Sequence, residues 1–574
     1  MKLCHLIAAV LTATFAHAAN PAGFERQTFW AFNPDMSDTE MQKAVDVIAA
    51  AGANCVILGG GGHHYLADSD GKTLNRYLER AGLAVKLCHE KGIKVVEHHS
   101  NVLISPANCT AELEPMLLQG FSSDGGSGVW PEYNARSFCP NNQNYREMYW
   151  RKLSSMLARV DFDGIMSDDA SFHAGCSCAV CQARWTTENG GDIFSAYKAA
   201  KTVGTPAWNL WNATRKRWIT EYYMWLNEKL RAEYSSVVRF TLANDSTSPW
   251  PSQINGLYPE LFAYSGDVIV WEIYNPADFF SVRRLGVSAA VYRELCEIPA
   301  IRAKSFSVLA YADTAEHRDV FDPSEDEFMW AFAMTVGGDF CFGRVFLTGI
   351  TENDSPGNVF NFEKKHLANR KNWGNSYAGV AVVYNPLLRD TDPNWEGGHT
   401  APFNATMQTL QAQGVPAKVL LPDSRMARGM KIYTTGDFFP TSYFVNQVNE
   451  KDPFPTIPDY SAVAVEKNSS PILIVTEGEP PLFRVYKKGS VITIPMTNTL
   501  GAKLPAGAPV PSPSKVIWGA VKPMTVRSTA KIETAELLSY PSGIHTPVQV
   551  SDDGYSVTLD SPEKFQVLTL QLAR

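Results

Sequence analysis

Between Phe24 and Gly349 the chain alternates, eight times over, between a short apolar run and a longer amphipathic stretch. The apolar runs are QTFWAFN (27–33), NCVILGG (54–60), IKVVEHH (93–99), DGIMSDD (163–169), VRFTLAN (238–244), VIVWEIY (268–274), SFSVLAYAD (305–313) and DFCFGRV (339–345). The stretches between them carry helical spacing. DTEMQKAVDVIAAAG is one; NRYLERAGLAVKLCHEKG is a second, with Gly92 placed to cap its end. In a third, Tyr145, Tyr149, Leu153, Met156, Leu157 and Val160 fall on one helical face. Eight strands with intervening helices is the count that closes a (β/α)8, or TIM, barrel. An open doubly wound sheet is the alternative arrangement of the same elements.

The character changes after about Tyr377. YAGVAVVYNPLLRD reads as a buried strand and loop, FNATMQTLQAQG as a helix, and AKVLLPD and YSAVAVE as further strands. With RVYKKGSVITIP they make a small flavodoxin-like α/β layer. Beyond Pro505 the segments AELLSY, TPVQVS, YSVTLD and KFQVLTLQL alternate with period two between turn residues, the pattern of a small antiparallel β-sandwich. The expected division is a leader over 1–19, a catalytic barrel over 20–370, the flavodoxin-like domain over 371–504 and the sandwich over 505–574.

Lys2, the apolar run LIAAVLTATFA and Ala16-His17-Ala18 form the three parts of a secretory signal, so a secreted or periplasmic protein is expected, with the signal removed. The run is shorter than the ~20 residues that span a bilayer, and no membrane insertion is expected. A net charge of −8 is small for 574 residues and argues against nucleic acid as a partner. The chain also carries 14 Trp and 22 Tyr, side chains on which sugar faces stack.

Chemistry concentrates between Asp161 and Trp185. Here Asp168 and Asp169 end the fourth apolar run, and side chains at the carboxyl ends of barrel strands face the active site. Because strand side chains alternate, only one of the two points inward; the reading leans to Asp169. A retaining glycosidase needs a second carboxyl group ~5–5.5 Å away to serve as acid. Glu272 in VIVWEIYNP is the preferred partner, with Trp271 and Tyr274 to desolvate it, and Asp313 is the next choice. A rim carboxylate paired with Arg283 or Arg284 is the plainer reading of Glu272. His63, His64, His98 and His99, with Glu97 beside the second pair, suit sugar hydroxyls; as imidazoles they suit a metal equally, or a structural role. Asn244 and Asp245 at the end of the fifth run, and Tyr311 at the seventh, complete the candidate substrate contacts.

Cys176, Cys178 and Cys181 follow within the same segment, and Cys139 lies before the preceding helix. Four thiolates so spaced form a structural Cys4 zinc set. Two disulfides are the alternative, which an oxidising compartment permits. Of ten cysteines, Cys4 falls in the leader, and the odd number left requires at least one unpaired or ligating thiol. No organic cofactor is expected.

The cysteine cluster, the earlier cysteine in a C-x-N context and GGDFCFGR (337–344) resemble family 42 β-galactosidases. That resemblance implies a barrel, a flavodoxin-like trimerisation domain and a small β domain, hence a homo-oligomer. The family's glutamates on strands four and seven are replaced here by Ser167-Asp168-Asp169 and by Leu309 to Asp313. AGANCVILGGGGHHYLADS (51–69), with its paired histidines, and D-G-I-x-x-D (163–168) are similar to family 29 α-L-fucosidases, whose fourth strand carries an Asp nucleophile. Gly61 stands where that family has Lys, and Tyr65-Leu66-Ala67 where it has Asp-Gly-Phe. Under this resemblance Asp168 is the matching acid; under the first, Asp169 is. Both imply an exported retaining exo-glycosidase acting on oligosaccharides or glycoconjugates, α-L-fucosidase-like first and β-galactosidase-like second. Sialidase-type chemistry through Tyr311, a catalytically silent glycan-binding barrel and a metal-dependent hydrolase built on the histidines are the remaining alternatives.

Overall fold

The computed structural model describes residues 22–59, 66, 71–121, 129–130, 135–172, 175–273, 282–298, 301, 303–310, 323–343, 356–393, 399–421, 431–433, 470–478, 480–498, 522–560 and 564–573. Eight parallel strands close a barrel: β1 (Arg26–Ala31), β2 (Cys55–Gly59), β3 (Lys94–Ser100), β4 (Gly164–Asp168), β5 (Val238–Ala243), β6 (Val268–Ile273), β7 (Ser305–Ala310) and β8 (Asp339–Phe342). Each pairs with its neighbours in sequence, and β8 closes on β1 through Gln27 and Cys341. The closed barrel, not the open sheet, is the outcome.

The barrel is filled from within by Phe24, Phe29, Cys55, Ile57, Val96, Met166, Val238, Phe240, Val268, Val270, Leu309 and Cys341, all buried. Fully burying each of the larger ones stabilises by roughly 1.5–3 kcal/mol, so the interior is a packed core and not a pore. Gly164 is required here because a Cβ would stand 2.8 Å from the Val238 carbonyl oxygen of the adjacent strand.

Helices α1 (Asp38–Ala50), α2 (Gly71–Glu90), α3 (Gln143–Leu157), α4 (Ala179–Asn189), α5 (Ile193–Ala199), α6 (Pro206–Glu233), α7 (Pro259–Ser265), α8 (Val282–Glu297), α9 (Pro323–Val336) and α10 (Gly357–His366) lie along the crossovers. At the start of α1, Ser37 and Glu40 form a reciprocal capping box, which satisfies two amides that the first turn leaves open. Past α2, Gly92 adopts a φ of +71° and donates its amide to the His89 carbonyl at 2.9 Å, as the sequence leads one to expect. On α3 the buried face is Tyr145, Tyr149, Leu153, Met156 and Leu157. Among the described residues no helix is long and apolar enough to cross a membrane.

Beyond the barrel, Val380–Val383, Ala417–Leu420 and Lys431–Tyr433 form a parallel sheet with Val380–Val383 in the centre, and helix Ala401–Ala412 connects two of them. This is the expected flavodoxin-like layer, apart from YSAVAVE, which lies outside the described residues. RVYKKGSVITIP does not belong to it. Its strands Tyr486–Lys488 and Val491–Thr497 join an antiparallel sheet, where Val491–Thr497 pairs along its length with Phe565–Leu572. An apolar run has the same appearance in either sheet, and only its distant partner decides. A second antiparallel sheet (Ile472–Thr476, Met524–Ser528, Ser556–Leu559) packs against the first through Ile474, Val526, Val557, Ile494, Leu568 and Leu570, giving the sandwich. The expected border at 504/505 falls outside the described residues.

The α/β layer is latched to the barrel by buried charge. Arg389 Nη2 lies 3.1 Å from Glu260 Oε2 on α7, and Asp390 pairs with Lys216 on α6. Both Arg389 and Glu260 are fully buried. The sandwich meets α9 through Trp330, whose ring packs tilted against Tyr540 and edge-to-face with Phe565 at centroid distances of 4.9 and 5.2 Å.

Candidate active site

Alternation along the strands sorts the candidate residues into two sets. On β4, Met166 belongs to the barrel interior and Ile165 to the layer between barrel and helices, so Asp168 takes the inward position at the strand's end. The leaning toward Asp169 is corrected: that residue lies one step past the strand. On β3, Val96 is inside, and His98 shares its side. The two inward residues meet, with His98 Nε2 3.5 Å from Asp168 Oδ2 and the His98 ring edge-on to Phe29 at 5.8 Å.

Burial sets the charge state of both. It pushes the Asp168 carboxyl up to about 6, against the pull of a hydrogen bond from the Asp169 amide to Oδ1 at 2.7 Å. The Asp168 side chain nevertheless keeps 27% of its surface open. For His98, burial brings the imidazole down to about 4, outweighing the attraction of Glu97 and Asp169, so at neutral pH it is uncharged. Asp169 itself has a φ of +66°, the one positive value at a non-glycine among the described residues.

Glu272 ends β6 on the side of Val268 and Val270, pairs in register with Leu309 of β7 and is 9% exposed. Its inward place at the mouth agrees with the sequence reading. Trp271 does not join it: being adjacent, it faces out, against Tyr292 of α8 and Phe332 of α9 at 5.6 and 6.1 Å. Glu97 and His99 are likewise removed from the candidate sugar contacts. They point outward from β3, fully buried, where one His99 nitrogen meets Glu97 Oε2 at 2.5 Å and the other the Tyr149 hydroxyl of α3 at 2.8 Å. Asn244 follows β5 on the inward side, half-buried. Asp245 instead accepts the amide and hydroxyl of Thr247 at 2.8 and 2.9 Å and closes a turn. His63, His64, Tyr274, Tyr311 and Asp313 lie outside the described residues.

The sequence reading missed Tyr223 of α6. It is buried near Asp168 and Asp169 and donates its hydroxyl to the Ala170 carbonyl at 3.4 Å, bracing the segment that leaves Asp169. Its only signal was the aromatic run WITEYYMW, which helical core explains as well.

Cys139, Cys176, Cys178 and Cys181 converge as expected, with all four Sγ atoms within 4.8 Å of one another and buried. Sγ of Cys139 is 3.5 Å from that of Cys181 and 3.7 Å from that of Cys178. A disulfide needs about 2.05 Å, and the four are free thiols. Four sulfurs at ~2.3 Å from a common ion would stand about 3.8 Å apart. The set therefore fits a tetrahedral metal ion and could hold one. Cys178 is the N-cap of α4, and hydrogen bonds from Cys139, Cys176 and Cys181 hold its thiol well below the usual range. Asn141 donates to Cys181 Sγ at 3.3 Å and is fixed in turn by Arg184, an outer layer of the kind that orients metal ligands. The quartet ties the strand-four loop to the segment ahead of α3.

A closed (β/α)8 barrel carrying acids at its mouth, an α/β layer and a β-sandwich define the class of molecule. The sequence matches no family model and no curated relative. Among solved structures, α-L-fucosidase isoenzyme 2 from Paenibacillus thiaminolyticus superposes with a TM-score of 0.64 at 11% identity, over 96% of this chain and all of that one. The β-galactosidase from Bacillus circulans sp. alkalophilus gives 0.58 at 11% identity over 96% and 99%. The β-galactosidase from Halorubrum lacusprofundi gives 0.54 at 13% over 95% and 99%. At such identities the likeness is one of fold, and it extends over the whole three-part chain.

Proposed function

We propose that the chain is an exported glycoside hydrolase that removes a terminal sugar from complex glycans with retention, and that its action is α-glycosidic, of the α-L-fucosidase kind. The observation that carries the reading is the placing of Asp168 and Glu272 on inward positions at the carboxyl ends of β4 and β6. In this scheme the Asp168 carboxylate attacks the anomeric carbon while Glu272 gives its proton to the departing glycosidic oxygen. Glu272, now a carboxylate, takes a proton from water, which displaces Asp168 and restores both groups. Neutral His98 offers a hydrogen bond beside the nucleophile without lowering its nucleophilicity by a full charge. The likeness to a solved α-L-fucosidase supports this reading.

A β-galactosidase is the second reading. It is favoured by the cysteine quartet together with the likeness to solved β-galactosidases along the whole chain. A panel of aryl glycosides separates the two. Release from the α-L-fucoside is expected; release from the β-D-galactoside alone selects the second reading; a folded protein that binds glycans but cleaves none overturns both.

The quartet is proposed to hold one structural zinc ion, its four thiolates leaving no open coordination position for substrate. Metal analysis should find one ion per chain and chelators should leave turnover intact, whereas thiol titration finding the four cysteines in disulfides would remove the ion. Self-association through the α/β layer follows from the resemblance to family 42, and light scattering showing a strict monomer would remove it.

A further inference from the structure

Asp169 is held in a conformation that costs energy for most residues. Its φ of +66° lies in the left-handed region, where a Cβ crowds the backbone and where glycine, asparagine and aspartate are the tolerated types. Such strain persists only where the surroundings impose it. Here Ala170, Ser171 and Phe172, which follow, are buried, the Tyr223 hydroxyl holds the Ala170 carbonyl, and Ser177 donates to the carbonyls of Gln119 and Gly120, each at 3.0 Å. The strained turn carries the Asp169 amide to 2.7 Å from Asp168 Oδ1.

We infer that Asp169 is a positioning residue, whose left-handed backbone aims its own amide at the Asp168 carboxylate and fixes the direction in which that carboxylate faces the barrel mouth. What the position supplies is backbone tolerance, not a second reacting carboxyl group. A hydrogen bond to a carboxylate favours its charged form, so the same amide keeps Asp168 ionised despite burial. The side chain of Asp169 adds negative charge near His98 and Tyr223 without serving as acid or nucleophile.

The test replaces residue 169 in the whole chain by Gly, Asn, Ala and Val, with Asp168→Asn as control. The inference rests on Asp168 doing the chemistry, so two readouts are taken: turnover of an activated aryl glycoside across pH, and the titration of the Asp168 carboxyl carbon in 13C-aspartate-labelled protein, assigned by its loss in Asp168→Asn. Asp169→Gly and Asp169→Asn, which tolerate the left-handed region, should keep turnover within about tenfold. Asp169→Ala should fall between, and Asp169→Val should lose on the order of 100-fold as the carboxylate is misplaced. In the Val variant the Asp168 titration should move up by about one pH unit. The graded order survives even if the Val protein folds poorly, since Ala reports the same trend. Loss of turnover in Asp169→Asn equal to that in Asp168→Asn overturns the inference, as does an Asp168 titration that is the same in all four variants. Full activity in Asp168→Asn would instead overturn the proposed function and leave the titration result standing.

Discussion

Two ends of the same barrel bury carboxylates and treat them in opposite ways. At the floor, Asp339 begins β8 with 2% of its surface exposed, and Lys371 lies 2.6 Å away with the Arg370 guanidinium alongside. Burial alone would push this carboxyl up, but Lys371 and Arg370 more than offset it and hold it below its usual range. At the mouth, Asp168 is partly buried, the imidazole beside it is neutral, and burial pushes it up to about 6. The floor sets two cations against its carboxylate; the mouth sets a backbone amide and an uncharged ring, and a carboxyl so perturbed at a barrel mouth marks a candidate functional site.

The sharpest way to break this contrast is Asp168→Asn. Turnover should fall on the order of 10^4-fold, while the melting temperature at pH 8 should hold or rise. The sign follows from the shift. A carboxyl raised from 3.8 to about 6 costs folding free energy once the unfolded chain ionises, and that cost is complete above about pH 6. A sharp drop in melting temperature would mean that Asp168 is a structural group like Asp339.

Glu272→Gln should cost about 10^2–10^3-fold for poor leaving groups and little for activated ones. Azide should rescue turnover with activated substrates. Equal slowing of all leaving groups, without rescue, would place the acid at another residue, Asp313 first.

At the floor, Asp339→Asn should take one of two carboxylate partners from the buried Arg370, which keeps Glu363, and the nearer partner from the half-exposed Lys371, and lower stability by about 1–3 kcal/mol. In denaturant titrations the midpoint should fall while turnover per folded molecule is kept. If turnover per folded molecule falls as well, the two ends are not separate in function.

The smallest effect is the pH dependence. If Asp168 is the nucleophile, kcat/KM should lose about tenfold per unit below pH 6. An alkaline limb near pH 6 would make it the proton donor instead. Stability on the acid side is pulled two ways, because Asp168 sheds its cost as pH falls below about 6, so the contribution of His98 is read in the Asp168→Asn variant, where stability should decline. His98 is held near 4, so the unfolded chain binds its proton first as pH falls below 6.5, and the loss runs from there down to about 4.

The barrel was legible because its strands are brief apolar runs set between amphipathic helices, and all eight fell where the pattern put them. The mouth was legible only as far as strand ends. The two-residue period that makes Glu272 inward makes Trp271 outward, and likewise separates His98 from Glu97 and His99. Applied to β4 it could not choose between Asp168 and Asp169, because Ile165 and Met166 are both apolar and both buried. The turn at Asp169 has no sequence signal beyond the residue type, and Tyr223 is brought near by a helix some fifty residues on. The cysteine quartet was legible from spacing because short loops leave few ways to arrange four sulfurs. The strand Val491–Thr497 was not assignable, because its partner is the last strand of the sandwich.

The latch made by Arg389 and Asp390 bears on how freely such a chain can be rearranged. A boundary drawn in sequence near residue 370 is a natural place to cut and recombine. Yet Glu260 and Lys216, buried on barrel helices, would then each lose the charged group that now pairs with it directly. The barrel and its neighbour are thus coupled through these pairs, and exchange of the trailing part for a foreign one would have to carry along an arginine and an aspartate in the same two places.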